Sequence, residues 1–182
     1  QAQPLDSVKS PQRSFQGVKL GYDGFVIPTK MRRAWLDDDR SLGDVVKPYL
    51  IGRDAVSGNG RPSRAVIDFA AMPMLEARRF ARAFAHLEAE VLPEVTSKVE
   101  EAEAANNGMV DARREHLERW WQAWNVRHDM RAALGEHSRF IACSQVTKRP
   151  IFVFFDFGIC PDATLQVFAF DDDYSFGLLA SN

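Results

Sequence analysis

Six consecutive residues, Ser144-Gln-Val-Thr-Lys-Arg149, gather hydroxyl, amide and cationic groups between two apolar runs, Phe140-Ile-Ala-Cys143 and Ile151-Phe-Val-Phe-Phe155. That inventory suits the edges of base pairs. An arginine fork can grip guanine O6 and N7, a glutamine amide can grip adenine N6 and N7, and Ser or Thr serves either edge. Ser144, Gln145, Thr147, Lys148 and Arg149 are therefore the candidate base-reading set; the plainer alternative is an exposed hairpin of soluble residues. No Lys, Arg or His follows Arg149 through Asn182, so the tip is cationic in isolation. Two further basic stretches, Lys30-Met-Arg-Arg33 and Gly60-Arg-Pro-Ser-Arg64, offer Lys30, Arg32, Arg33, Arg61 and Arg64 as phosphate contacts, which fix register on a duplex without reading sequence.

Other chemistries fare worse. Gly58-Asn59-Gly60 is too short for either glycine-rich phosphate fingerprint, and no G-x-S-x-G pentapeptide offers a nucleophile elbow. His86, His116, His128 and His137 lack the i, i+4 spacing of a zinc pair, which leaves them surface or capping roles. Asp171-Asp172-Asp173 could hold Mg²⁺ for a nuclease, but Asp between apolar segments also favours turns. Trp120, Trp121 and Trp124 read as core at helical spacing, with Arg119 and Arg127 beside them for cation–π contacts; docking of a partner protein is the alternative use.

The elements that must position these groups follow from periodicity. Residues 14–70 read as short strands with turns, including Phe25-Val-Ile27 and Ala65-Val-Ile67, and one short helix around Thr29–Leu36. From Leu75 to about Ala105, Phe80, Phe84, Leu87, Val91, Val95 and Val99 recur every three or four residues, a helical stripe that Pro93 must kink or split. After the turn signal Asn106-Asn-Gly108 a second helix is expected from a cap at Asp111 to Gly135. Four C-terminal strands are expected, at Phe140–Cys143, Ile151–Phe155, Leu165–Phe170 and Tyr174–Leu179, their continuous apolar content implying burial on both faces, or one face buried and the other covered by a partner domain. Strands, helices, then strands make an α+β fold: mixed or antiparallel sheet, with a pair of long helices at about 74–135 inserted between N-terminal and C-terminal strands.

Composition agrees with a folded domain. The chain has 182 residues, 46% hydrophobic and 26% charged, with a net charge of -2 that argues against an indiscriminate polyanion binder. The charge is graded, however: residues 1–70 hold 11 Lys/Arg against 8 Asp/Glu, so the basic surplus is N-terminal. Cys143 and Cys160 sit in apolar runs, as buried thiols of a reduced cytoplasmic interior do. Neither a membrane span nor a signal peptide is visible, and the start at Gln1 and end after Gly177-Leu-Leu read as an excised piece.

Several strings together resemble one family. They are Arg139-Phe-Ile-Ala-Cys-Ser-Gln-Val-Thr-Lys-Arg-Pro-Ile-Phe152, Cys160-Pro-Asp-Ala163 and Val167-Phe-Ala-Phe-Asp-Asp-Asp-Tyr-Ser-Phe-Gly-Leu-Leu179, joined upstream by Phe15-Gln-Gly17, Val46–Asp54, Gly60–Arg64, Val66–Phe69 and Glu118–Trp121. The combination resembles the target recognition region of single-chain adenine DNA methyltransferases, the MmeI-like, type IIG or type IIL restriction-modification enzymes, over nearly the whole chain. The resemblance implies one target recognition domain over 1–182, a fragment of a larger methyltransferase. Its partners would be double-stranded DNA and its own catalytic domain. That domain would bind S-adenosylmethionine and hold the target adenine with an Asn-Pro-Pro-aromatic motif, which this sequence lacks. This chain alone is accordingly expected to take no cofactor and to catalyse nothing.

Overall fold

The computed structural model describes residues 12–56, 60–105, 110–148 and 150–181. Along the chain run β1 (Ser14–Gln16), β2 (Val26–Pro28), α1 (Thr29–Asp38), β3 (Val46–Leu50), α2 (Gly52–Val56), β4 (Arg64–Ile67), α3 (Met74–Ala77), α4 (Ala81–Glu90), α5 (Leu92–Ala104), α6 (Val110–Leu117), α7 (His128–Leu134), β5 (Arg139–Ser144), β6 (Val153–Asp156), β7 (Cys160–Pro161), β8 (Leu165–Phe168) and α8 (Asp173–Ala180). The α+β class expected from the sequence is what folds. The chain forms two compact units, a helical one of residues 18–49 and 62–126 and a strand-rich one of 1–17, 50–61 and 127–182.

In the helical unit β4 lies between β2 and β3, antiparallel to both, with Val66 opposite Val26 and Lys47. Ala65, Val66 and Ile67 are fully buried, which explains why this strand is an unbroken apolar run rather than an alternating one. The helical stripe packs where its spacing requires: Phe84, Leu87, Val91 and Val95 are buried, and Phe84 meets Trp120 at 5.2 Å and Phe69 at 6.3 Å. Pro93 splits the expected helix in two. It stands at the start of α5, where the missing amide proton has no intrahelical partner to lose. The second long helix does not form as one piece, because α6 stops at Leu117 and α7 begins only at His128. Between them Trp124 N–H donates to Leu20 and Asn125 N–H to Lys19, so this stretch is bound as an extended partner instead. The turn at Asn106–Gly108 lies outside the described residues.

In the strand-rich unit four antiparallel strands run in the order β1-β8-β5-β6. One face is core: Phe15, Val167, Ala142, Phe140 and Phe155 share it through the register, and all are buried. Burying one such phenylalanine contributes about 1.5–3 kcal/mol. Cys143 and Cys160 are free and buried. Gly17 closes the end of β1, where a Cβ would fall 2.1 Å from the Asp162 carbonyl oxygen; no other residue fits.

The expected strand at Tyr174–Leu179 is instead the helix α8. Asp172 caps it, its carboxylate accepting from Ser175 N at 2.7 Å, and that local bond outweighs the strand preference of the aromatic residues. Phe176 stacks on Phe154 at 4.8 Å, and Arg139 lies 3.8 Å over the same Phe154 ring while bonding Asp173. Part of the second sheet face is thereby covered by this helix.

Candidate nucleic-acid interface

β5 is the middle of three consecutive ladder partners, paired to β8 through Ser144 and to β6 only as far as Ala142 opposite Val153. The candidate tip therefore leaves a strand that is held on both sides. Ser144 is buried, its Oγ accepting from Val146 N at 3.3 Å, so the hydroxyl turns the chain. Gln145 is exposed, with its backbone N–H donating to Thr164 at 2.9 Å. Thr147 is half-buried and Lys148 exposed; Arg149 lies outside the described residues. Arg61 is exposed, and the preceding Gly60 packs against β6: a Cβ there would stand 3.7 Å from Phe155 and 3.9 Å from Val153.

The remaining candidate cations belong to the helical unit. Thr29 donates its hydroxyl to the Ser63 carbonyl at 3.0 Å, which ties the first turn of α1 to the start of β4. Lys30, Arg33 and Arg64, all exposed, are collected at that corner. Arg32 differs. It is half-buried, its Nε donates to the Val46 carbonyl at 3.0 Å, and burial lowers its pKa from the usual arginine value, so its first role is to brace α1 on β3.

Among the described residues Lys30, Arg33, Arg61, Arg64 and Lys148 have no carboxylate partner, whereas Arg82, Arg114, Arg119 and Arg139 are held by Asp38, Glu103, Glu115 and Asp173. Lys19, Arg40 and Arg79 are equally without a carboxylate, so the lack of one does not by itself distinguish the candidates.

Periodicity around the tip conceals a set of amides that the reading of the loop missed. Gln16 stands opposite Gln166, and Gln166 opposite Cys143, on the half-exposed sheet face. Gln145 Nε2 donates to the Leu165 carbonyl at 3.1 Å and to Gln166 Oε1 at 3.3 Å; Gln166 Nε2 donates to Ser14 Oγ at 2.7 Å. Gln16 Nε2 donates to the Ala163 carbonyl at 2.9 Å, and its Oε1 accepts from Arg127, whose Nε donates to Gly17 at 3.0 Å. The signal available in sequence was the polar position Gln166 between buried Leu165 and Val167, a period-2 break in an apolar run.

The competing readings lose their geometry. The three aspartates face three different groups: Asp171 meets His137 Nδ1 at 3.1 Å, Asp172 caps α8, and Asp173 holds Arg139 at 2.8 Å. Trp120 and Trp121 are buried, Trp121 Nε1 donating to the Met72 carbonyl at 2.9 Å, and they lie beyond the end of α6, so they present no helical docking stripe. One histidine departs from the expected surface or capping role. His116 is fully buried between Tyr22 at 5.6 Å and Trp124 at 4.9 Å, with neither ring nitrogen hydrogen-bonded. Burial, helped by the Arg119 cation, pushes its pKa down to about 4. Among the described residues no helix is long and apolar enough to cross a membrane.

The fold of this α+β chain is shared with part of one larger solved protein. A solved structure of the type IIL restriction-modification enzyme MmeI, in complex with DNA, superposes on this chain with a TM-score of 0.58 over 93% of its length, at 12% sequence identity. The chain spans about a fifth of that protein, 20% of its length. No model of a known protein family matches this sequence, and no curated protein matches it.

Proposed function

We propose that this chain is the DNA target recognition domain of a site-specific adenine-N6 methyltransferase of the restriction-modification kind, reading bases while another domain of the same protein performs the transfer. The observation that carries the reading is the fold shared over 93% of the chain with a restriction-modification enzyme solved on DNA. The sequence resemblance supports it independently, and so does the position of the polar tip at the end of a strand paired on both sides. Lys148, Gln145 and Thr147 serve as base contacts of that tip, joined by Arg149, while Lys30, Arg33, Arg61 and Arg64 neutralise phosphates. Ser144 and Arg32 shape the loop and brace α1. Methyl transfer, S-adenosylmethionine binding and extrusion of the target adenine belong to the neighbouring catalytic domain.

With about four phosphate contacts and no partner domain, the chain should bind duplex DNA with Kd of order 10⁻⁴ to 10⁻⁶ M at physiological salt, weakening steeply as salt rises. Fluorescence anisotropy with labelled duplexes tests this. Arg61→Ala should weaken every sequence alike and reduce the slope of log K against log salt by about one. Salt-independent binding, or none at millimolar protein, overturns the reading.

A further inference from the structure

The amide relay beneath the tip fixes what Gln145 can offer to a ligand. A backbone carbonyl can only accept, so the Gln145 atom 3.1 Å from the Leu165 oxygen must be its NH₂ group. The second proton of that NH₂ goes to Gln166 Oε1 at 3.3 Å. Gln166 is set in turn, because with its oxygen so occupied its NH₂ falls to Ser14 Oγ at 2.7 Å. Both donors of Gln145 are thus used inside the sheet. Its Oε1 receives no hydrogen bond among the described residues, although the side chain is exposed. A glutamine free to rotate can serve as donor and acceptor together, which is how it grips adenine N6 and N7; this one is held as an acceptor alone.

Resting on the DNA-reading function above, we infer that Gln145 is an acceptor-only specificity residue, selecting an exocyclic amino group, and that Gln166 is the positioning residue that keeps it so. In the major groove the amino donors are adenine N6 and cytosine N4, whereas guanine O6 and N7 and thymine O4 are acceptors that would meet the Gln145 oxygen unfavourably. The contacted position is therefore adenine or cytosine rather than guanine or thymine. Adenine N7 plays no part in the contact.

Selection of duplexes from a pool with a randomised central segment, using the immobilised chain, tests this directly. Wild type should enrich one position in adenine or cytosine that Gln145→Ala leaves random, and Gln145→Lys, a pure donor, should turn the same position toward guanine or thymine. Gln166→Leu should cut the enrichment about fivefold, the worth of one hydrogen bond near 1 kcal/mol, while Gln166→Glu, which keeps the accepting oxygen, should retain it. Where the enriched base is adenine, 7-deazaadenine should bind as well as adenine; where it is cytosine, a pyrimidinone lacking the 4-amino group should lose the preference. Dependence on N7, or a Gln145-dependent position occupied by guanine or thymine, overturns the inference, as does a set of enriched positions indifferent to Gln145. Failure of the wild-type chain to bind any duplex in a salt-dependent way sinks the DNA-reading function itself.

Discussion

Each unit holds a polar arrangement that the other lacks among the described residues. In the strand-rich unit long polar side chains on and beside the sheet end on backbone oxygens, Gln145 on Leu165, Gln16 on Ala163, Arg127 on Gly17 and Arg139 on Asp171, and two of the glutamines, Gln145 and Gln166, are linked in a relay. In the helical unit an imidazole sits fully buried among aromatic rings with both nitrogens unbonded. The first arrangement fixes the direction of exposed groups, as a recognition surface needs. The second fixes nothing outside the core and makes that core sensitive to acid.

The contrast can be broken most forcefully in the hydrophobic interior, where both units should behave alike. Phe69→Ala in the helical unit and Phe140→Ala in the strand-rich unit each remove a fully buried ring and should cost about 3–5 kcal/mol, read as a lower urea midpoint. A much smaller loss for either would mean that its unit can close over the gap.

Acid should separate the units. His116 is held at about 4 against an ordinary 6.5, so the unfolded chain binds its proton more readily than the folded one. Its contribution is fully present above pH 6.5 and is lost as pH falls toward 4, a swing of about 3 kcal/mol. His116→Leu should flatten urea stability between those pH values and leave stability at pH 7 unchanged or higher, since two unbonded nitrogens leave the core. An unaltered acid profile in the variant would assign the acid response to other groups.

The smallest effects sharpen the comparison. Among the described residues each unit carries one non-glycine residue in the left-handed region, Ala70 at φ 48° and Arg127 at φ 55°. Ala70 has only a methyl group to hold there, its N–H donating to Asp68 at 3.1 Å, so Ala70→Gly should stabilise by about 0.5–1 kcal/mol in thermal unfolding. Arg127→Gly relieves the same backbone but forfeits the guanidinium bonds to Gly17 and Gln16, and should gain nothing. Equal gains would show that the Arg127 bonds contribute little.

Legibility in the sequence followed the range of the interaction. Pro93 dividing α4 from α5, the buried β4 run and the α1 helix were all visible, because ring geometry, β-branching and helical spacing act within a few residues. The tip was visible as composition, but not that Ser144 is buried with its Oγ accepting from Val146 N, nor that Arg32 on α1 bonds the Val46 carbonyl of β3. The α8 segment went astray because aromatic content was weighed above a single capping bond from Asp172.

The sequence by itself determined the apolar stripes, the proline break and the presence of a polar, cationic segment between two strands, since each rests on residue type and local spacing. Tertiary structure alone decided that Gln16 and Gln166, 150 positions apart, stand opposite each other, and that Gln166 and the Leu165 carbonyl turn the Gln145 amide. Strand pairing is a long-range choice of register, and the direction of an exposed amide is set by whichever oxygen that register brings within reach.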